Sequence, residues 1–295
     1  MSAAIGIIGT GVMGGAMARR LLACGFQVAV FDANFQAMAG LEDLGAVLEL
    51  GPRNVADRSD VVLCSLPSPE ISIAVAREVA GAERVKVYVE TSTIGRGAIT
   101  EISDLLARSG IMTIDAPVSG GSFAIAEGKL TAFLAGPAAA VARARPLITA
   151  LSSTVFELGA EVGRAQLCKV INNGVGMAGL VAACEGLAVA QKAGIDLQLM
   201  LDILNSGSGS NWATRQMLPN TLLAGRPSGP IYITAKDMGF YLAEAEMLGG
   251  AVPVARDLTA RLRSIVAAGD PKRDTTALFS YFVELADSTS SNRAG

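Results

Sequence analysis

A glycine-rich segment close to the N-terminus constrains the fold of this chain more than any other feature. Residues 9–14 read GTGVMG, follow the apolar run 5–8 and open a helical pattern over residues 13–23. In a strand–loop–helix unit, the first glycine permits a tight turn, the second lets the backbone approach a pyrophosphate, and the third allows close helix–strand packing. The N-terminus of the helix adds N–H groups and the positive end of its dipole. The motif therefore predicts a phosphate cradle formed by Gly9, Thr10, Gly11, Val12, Met13 and Gly14.

The alternative to a phosphate cradle is a chance cluster of glycines, since the chain has 33 glycines, but the position of Asp32 favours the cradle. Asp32 follows the apolar run 27–31, close to the spacing of about 20 residues at which an acid binds the adenosine ribose. A carboxylate there would repel a 2′-phosphate, and no arginine directly follows it, so we predict NAD in preference to NADP. The other interpretation of Asp32 is that it only caps the following helix.

Short strand-like runs alternate with helical patterns through the first 160 residues, and helical patterns alone follow. The alternation predicts an α/β domain with a doubly wound, mostly parallel sheet covered on both faces. We predict this domain over residues 1–162 and an all-helical domain, opened by a long helix, over residues 163–295. The final residues, 288–295, are polar and predicted to fray. The predicted strands are 5–8, 27–31, 60–65, 86–90 and 111–114. The predicted helices of the second part are 163–193, 196–204, 235–248 and 252–268, with loop and short helices at 205–234.

The composition removes several classes of function. The 295 residues include no histidine, the usual proton shuttle near neutral pH and the commonest metal ligand. This excludes His-based triads, His-ligated metal sites and dehydrogenases with an Asp–His pair, and we predict no metal site. A proton would have to move through lysine, tyrosine or a carboxylate. The net charge of −3 gives no electrostatic footprint for nucleic acid.

The cysteines and the apolar segments provide information on the cellular compartment of the protein. Four cysteines without a C-x-x-C pair predict reduced thiols in a cytoplasmic protein. The first residues lack the charged region and cleavage site of a signal peptide. The longest apolar stretch, residues 173–190, is glycine-rich and interrupted by Glu185, so we predict a buried helix and no membrane partner.

Two further loops are predicted at the carboxyl edge of the sheet, where ligands bind in open α/β folds. Residues 65–69 follow the third predicted strand and include Leu66 and Pro67; residues 91–94 follow the fourth and include Thr93. Their small hydroxyl side chains suit a polar cofactor, although either loop alone is also typical of a plain turn.

Three other segments carry chemistry-bearing residues. Residues 115–122 read DAPVSGGS, and their Ser-Gly-Gly run can form a backbone anion nest or a plain glycine turn. Lys169 and Asn173 lie four residues apart and so on one face of an otherwise apolar helix. Burying a lysine and an asparagine costs free energy, so their burial would indicate a role. The alternative is that the side chain of Lys169 extends to solvent. Lys236 and Asp237 are predicted to begin a later helix, with Asp237 near its N-terminus. On the sequence alone, a helix cap and a surface ion pair are favoured over a functional role.

Together these motifs resemble those of the β-hydroxyacid dehydrogenase family over nearly the whole chain. The resemblance implies that Lys169 is the catalytic acid/base and that Asn173 orients the substrate. It also implies that Thr93 lies near the nicotinamide, that Lys236 lies near the cofactor, and that a long interdomain helix joins a Rossmann domain to a helical domain in a homodimer or homotetramer. The residues implied to bind the substrate carboxylate are Ser119, Gly120 and Gly121. The motifs are the glycines of 9–14, DAPVSGG at 115–121, G-x₅-K-x₂-NN at 163–173 and KD at 236–237.

The predicted reaction is NAD-dependent interconversion of a small β-hydroxy acid and its semialdehyde or β-keto acid, with Lys169 moving the hydroxyl proton. An imine reductase is an alternative, but members of that related group generally lack the lysine. A non-catalytic dinucleotide-binding scaffold is another. The resemblance implies that residues 122–126 and 211–212 select the substrate, which stays open among hydroxyisobutyrate, serine, glycerate and hydroxypropionate.

Overall fold

The computed structural model describes residues 4–291, with side chains through residue 285. The chain divides into two compact units between Lys169 and Val170. The boundary predicted between residues 162 and 163 stays a prediction.

The first unit contains a six-stranded parallel sheet in the order β3-β2-β1-β4-β5-β6. Three of its strands, β1, β4 and β5, are buried along their whole length, which is typical of parallel strands covered on both faces. The strand order reverses between β1 and β4, and this creates the crevice at which such sheets bind ligands. The strands are β1 (Ile5–Ile8), β2 (Val28–Phe31), β3 (Val47–Leu48), β4 (Val61–Cys64), β5 (Val87–Glu90) and β6 (Met112–Asp115).

Alternate residues of these strands enter two hydrophobic cores, one on each face of the sheet. Ile7 and Val89 pack with Met17 of the first helix, whereas Val62 and Tyr88 belong to the opposite core. The predicted doubly wound sheet with helices on both faces is therefore confirmed. The helices of this unit are α1 (Val12–Ala23), α2 (Pro52–Arg58), α3 (Pro69–Val79), α4 (Arg96–Ala107), α5 (Gly121–Ala126) and α6 (Ala138–Leu151).

A second, three-stranded sheet was not predicted. It comprises β7 (Val118–Ser119), antiparallel to β8 (Leu130–Leu134), which is parallel to β9 (Ser152–Glu157). Asp115 and Ala135 exchange both backbone hydrogen bonds at 2.9 Å and so join this sheet to the end of β6. Because β7 has two residues and β9 directly continues helix α6, neither forms a separate apolar run in the sequence.

The second unit is helical, as predicted. Helix α7 begins in the first unit and continues through the second, where Leu180, Cys184 and Leu187 are buried in a hydrophobic core. Among the described residues, α7 is the one helix long and apolar enough to cross a membrane, and 44% of its apolar stretch is buried inside the structure. The helices are α7 (Arg164–Lys192), α8 (Leu197–Ser206), α9 (Ile231–Met247), α10 (Pro253–Ala268) and α11 (Ala277–Ser291), with π-helical turns at Ala213–Met217 and Pro219–Leu223.

Two predictions about the later helices were wrong. Helix α9 begins at Ile231, so the pair 236–237 lies in its second turn and not at its N-terminus. Ile231 is buried and donates its N–H to the carbonyl of Arg273, and this packing overrides the low helix propensity of the β-branched residues there. Helix α11 was not predicted; it includes residues 288–291 of the tail expected to fray, whereas residues 292–295 lie outside the described residues.

Candidate active site

The loops predicted to bind a cofactor meet at the carboxyl edge of the parallel sheet. Neighbouring strand ends are tied by backbone hydrogen bonds: the N–H of Gly9 donates to Phe31 at 2.8 Å, and that of Thr91 donates to Cys64 at 3.0 Å. The N–H of Ala116 donates to Glu90 at 2.8 Å in the same way. The ends of β1, β2, β4, β5 and β6 thus form one continuous edge.

The glycine loop has the geometry of a phosphate cradle. Gly9 has a φ of 87°, and a β-carbon there would overlap the carbonyl oxygen of Ser65. A β-carbon at Gly14 would overlap the carbonyl oxygen of Gly9, so close backbone packing requires glycine at both positions. At Gly11 a β-carbon would meet nothing within 4 Å. The protein itself does not require glycine at residue 11, and the open space at the start of α1 fits a ligand that approaches the backbone.

Asp32 holds this loop in place. One carboxylate oxygen accepts the N–H of Thr10 at 2.7 Å, and the other accepts the N–H of Asn34 at 2.8 Å. The short 3₁₀ helix that follows is capped by Asn34, whose side chain accepts the N–H of Gln36 at 3.2 Å. The alternative that Asp32 caps the following helix is therefore wrong.

The loops at 65–69 and 91–94 are joined to each other. The hydroxyl oxygen of Ser92 accepts the N–H of Leu66 at 2.6 Å, and the hydroxyl of Thr91 donates to the carbonyl of Cys64 at 2.7 Å. Leu66 and Thr93 are partly exposed at this edge, and Pro67 is exposed. These predicted cofactor residues are thus placed on the same surface as the glycine loop.

Sequence reasoning missed a buried acid beneath these loops. Glu90 is fully buried and accepts hydrogen bonds from the hydroxyl of Tyr88 at 3.1 Å and the N–H of Ser92 at 3.0 Å. Burial raises the pKa of Glu90 to about 7, against the opposing effect of its hydrogen bonds from Ser92. Burial also raises the pKa values of Cys64 and Tyr88 well above their usual ranges, so both stay protonated at neutral pH. The position of Glu90 at the carboxyl end of the predicted strand 86–90 was the available signal.

A second buried acid lies at the start of the DAPVSGG motif. One carboxylate oxygen of Asp115 accepts the N–H groups of Gly163 and Gln166, both at 3.0 Å, and so caps the first turn of α7. Burial raises the pKa of Asp115 to about 6, although hydrogen bonds from Gln166 and Gly163 act in the opposite direction.

Gln166 was also missed. Its side-chain oxygen accepts the N–H groups of Ile94 at 3.0 Å and Gly95 at 3.1 Å. Its side-chain nitrogen donates to the carbonyl of Ser92 at 2.9 Å and to Asp115 at 3.0 Å. The residue is completely buried, and both polar atoms of its amide make two hydrogen bonds.

The Ser-Gly-Gly run follows the same strand end. Ser119 ends β7 and is partly exposed, and Gly120 and Gly121 are exposed at the start of α5. Gly120 has a φ of 132°, and a β-carbon there would lie 2.9 Å from that of Ala124. The structure thus presents the predicted carboxylate-binding backbone in the first unit, but it also fits the alternative of a plain glycine turn.

Lys169 lies in the first-unit part of α7 and is only 7% exposed. The alternative that its side chain extends to solvent is therefore wrong. Asn173 follows four residues later on the same helix, in the second unit.

Within the second unit, the structure brings Asn173 and Lys236 together through Asp237. The amide nitrogen of Asn173 donates to Asp237 at 2.8 Å, and the ammonium of Lys236 lies 3.4 Å from the other oxygen of Asp237. Asp237 is 8% exposed, so the pair 236–237 is not the surface pair that the sequence favoured.

The glycines of α7 make room for side chains of its neighbours in the second unit. A β-carbon at Gly174 would overlap the ring of Tyr241, and one at Gly179 would lie 3.2 Å from the amide carbon of Asn211. Asn211 accepts the N–H of Ala213 at 2.8 Å, so it has a local structural role. Among residues with described side chains, no group of three potential metal ligands from histidine, cysteine, aspartate and glutamate is found.

Two family models cover most of the chain. The model for the NAD binding domain of 6-phosphogluconate dehydrogenase matches residues 4–159. The model for the NAD-binding region of NADP-dependent 3-hydroxyisobutyrate dehydrogenase matches residues 163–282.

Individual relatives agree with these matches. The chain is 30% identical to 3-hydroxyisobutyrate dehydrogenase of Pseudomonas aeruginosa over 92% of its length and 94% of the relative. It is 29% identical to L-threonate dehydrogenase of Cupriavidus necator, covering 96% of this chain and 97% of the relative. The solved structure of Mycobacterium tuberculosis 3-hydroxyisobutyrate dehydrogenase with L-serine has a TM-score of 0.85 at 25% identity, covering 95% and 99% of the two chains. Solved imine reductases, at 19% to 20% identity, share the fold alone. The chain therefore belongs to the β-hydroxyacid dehydrogenase family, whose members are nicotinamide-dependent oxidoreductases.

Proposed function

We propose that this protein interconverts a small β-hydroxy acid and its semialdehyde or β-keto acid with NAD, in the manner of a 3-hydroxyisobutyrate dehydrogenase. The observation that carries the proposal is the buried Lys169, in a chain without histidine, one helical turn from Asn173. Burying an ammonium group costs free energy, so a lysine at such a position supports a chemical role.

The cradle at the start of α1 supports a dinucleotide cofactor. The open space at Gly11 leaves room for the pyrophosphate, and the helix N-terminus favours its negative charge. Asp32 keeps lone pairs beyond its bonds to Thr10 and Asn34 and would accept the ribose hydroxyls. Its negative charge disfavours a 2′-phosphate, which is why we propose NAD over NADP. The other proposed cofactor contacts are Thr10, Val12, Met13, Leu66, Pro67, Thr93 and Lys236.

The chain's own residues bind the substrate and move its proton. The bound nicotinamide supplies the hydride acceptor. Lys169 accepts the proton of the substrate hydroxyl during oxidation and returns it during reduction. Asn173, whose amide is oriented by its bond to Asp237, hydrogen-bonds the reacting oxygen. The Ser-Gly-Gly run at 119–121 binds the substrate carboxylate, which restricts the orientation of the carbinol carbon for hydride transfer.

The two alternatives are not favoured. An imine reductase shares the fold but generally lacks the lysine, whereas this chain has Lys169. A non-catalytic scaffold would need only the cradle and would not explain a buried Lys169 or the bond between Asn173 and Asp237.

We also propose a cytoplasmic homodimer or homotetramer, with functional domains over residues 1–162 and 163–295 and no nucleic-acid or membrane partner. Exposed apolar side chains in the second unit support self-association. Among them are Val175, Val189 and Met247.

The test is a screen of small hydroxy acids with NAD⁺ and with NADP⁺, followed by absorbance of the reduced cofactor. The panel contains 3-hydroxyisobutyrate, L-serine, glycerate, 3-hydroxypropionate and L-threonate, with their semialdehydes or keto acids in the reverse direction. We expect turnover of at least one acid with NAD⁺ as the better cofactor. If no acid in the panel is oxidised although NADH still binds, the proposed reaction is contradicted, and an imine reductase or a non-catalytic scaffold is favoured.

A further inference from the structure

We propose that Gln166 is a positioning residue for hydride transfer: it fixes the loop that bears Thr93 relative to the helical turn that bears Lys169. The inference rests on the proposed roles of Thr93 and Lys169. Gln166 itself is completely buried.

The hydrogen bonds of Gln166 enclose Thr93 from both sides. Its amide nitrogen donates to the carbonyl of Ser92, and its amide oxygen accepts the N–H groups of Ile94 and Gly95. The three bonds measure 2.9, 3.0 and 3.1 Å. The backbone before and after Thr93 is therefore held by one side chain.

The same residue is part of the helix that carries the proposed acid/base. Gln166 lies in the first turn of α7, three residues before Lys169, a spacing that places both on neighbouring positions of one helix face. A displacement of this turn would move Lys169, and a displacement of the loop would move Thr93. The side-chain amide of Gln166 therefore couples the position of the loop to the position of the helical turn.

Asp115 anchors Gln166, and with it the first turn of α7, to the sheet. It accepts the backbone N–H of Gln166 with one oxygen and the side-chain amide of Gln166 with the other, both at 3.0 Å. Since Asp115 ends β6, the turn of α7 and the loop after β5 are fixed to adjacent strands of one sheet.

Only an amide of this length satisfies every partner. The site presents two acceptors, the Ser92 carbonyl and the Asp115 carboxylate, and two donors, the N–H groups of Ile94 and Gly95. Methionine would keep the volume of Gln166 and lose all four bonds. Glutamate would keep the length but place an acceptor against the Ser92 carbonyl and the Asp115 carboxylate.

The experiment compares wild type, Gln166→Met and Gln166→Glu with the panel acid that the wild type oxidises fastest. We expect both variants to lose about 100-fold in kcat, because displacements of about 1 Å can cost this much, while KM and NADH affinity change little. Deuterium at the carbinol carbon should slow both variants more than the wild type, because hydride transfer becomes rate-limiting. Hydrogen exchange should accelerate at residues 92–95 in both variants.

A core variant controls for loss of stability. Leu106→Ala removes buried volume in α4, away from the loop, and should lower the thermal midpoint while kcat per folded molecule stays at the wild-type value. If Gln166→Met does not fold, Gln166→Glu decides the question by the same measurements. A folded Gln166 variant with wild-type kcat and isotope effect would overturn the positioning role alone. A wild type inactive on the whole panel would instead overturn the proposed function on which the role rests.

Discussion

Replacing Glu90 with glutamine should remove a proton-binding group from the core of the first unit without changing its size. The carboxyl group is fully buried at the end of β5, where the Tyr88 hydroxyl and the Ser92 N–H donate to it. Burial is the main reason that its pKa rises from 4.5 to about 7. A glutamine can accept the same N–H and donate to the tyrosine oxygen, so the packing around it is preserved.

The sign of the effect follows from where the proton is bound. Between pH 4.5 and about 7 the native state holds a proton on Glu90 that the unfolded chain has released. The stability that this proton confers is fully present below pH 4.5 and is lost as the pH rises through about 7. At about 1.4 kcal/mol for each pH unit, Glu90 alone should raise the free energy of unfolding by about 2.5 kcal/mol between roughly pH 8.5 and roughly pH 5.

Asp115 adds an effect of the same sign, because burial raises its pKa to about 6. It is present in both proteins, so it cancels when the variant is compared with the wild type.

The assay is urea denaturation of both proteins at several pH values, followed by circular dichroism. The free energy of unfolding of the wild type relative to Glu90→Gln should increase by about 2.5 kcal/mol as the pH falls over this range. Glu101→Gln makes the same substitution at an exposed carboxylate of α4 and serves as the matched control. A difference between wild type and Glu90→Gln that is the same at both ends of the range would refute the reasoning.

The remaining predictions concern binding and catalysis. Gly11→Ala should lower the stability of the ligand-free protein by no more than about 1 kcal/mol, the cost of alanine at a helix N-cap, yet weaken NADH binding by about tenfold or more in a fluorescence titration. Gly14→Ala should instead lower the thermal midpoint, because its β-carbon would overlap a backbone oxygen. Wild-type NADH binding by Gly11→Ala would argue against the phosphate cradle. Asp32→Ser should reduce the ratio of kcat/KM for NAD⁺ to that for NADP⁺, and an unchanged ratio would remove Asp32 from cofactor selection. Asn173→Ala should lower kcat/KM by about 10- to 100-fold with intact NADH affinity; wild-type kinetics would exclude its orienting role.

The features that sequence could predict are local. The apolar runs of β1, β2, β4, β5 and β6 stand out because both faces of a parallel strand are buried, and the glycine loop follows the first of them. Lys169 and Asn173 could be placed on one helix face from their spacing alone.

The features that sequence could not predict depend on residues far apart in the chain. Gln166 meets Asp115 across 51 residues, and Asn173 meets Asp237 across 64. Nothing in the spacing of these pairs indicates that their side chains are in contact. Similarly, the first turn of α9 depends on the carbonyl of Arg273, which no pattern near Ile231 reveals.

In the proposed mechanism, Lys169 moves the proton of a small β-hydroxy acid. The most direct test measures the initial rate of NADH formation by wild type and Lys169→Ala with the best panel acid, together with NADH binding by each protein. We predict a rate lower by about 10²- to 10⁴-fold in the variant, with NADH affinity close to that of the wild type. A variant that keeps a near-normal rate would contradict the account.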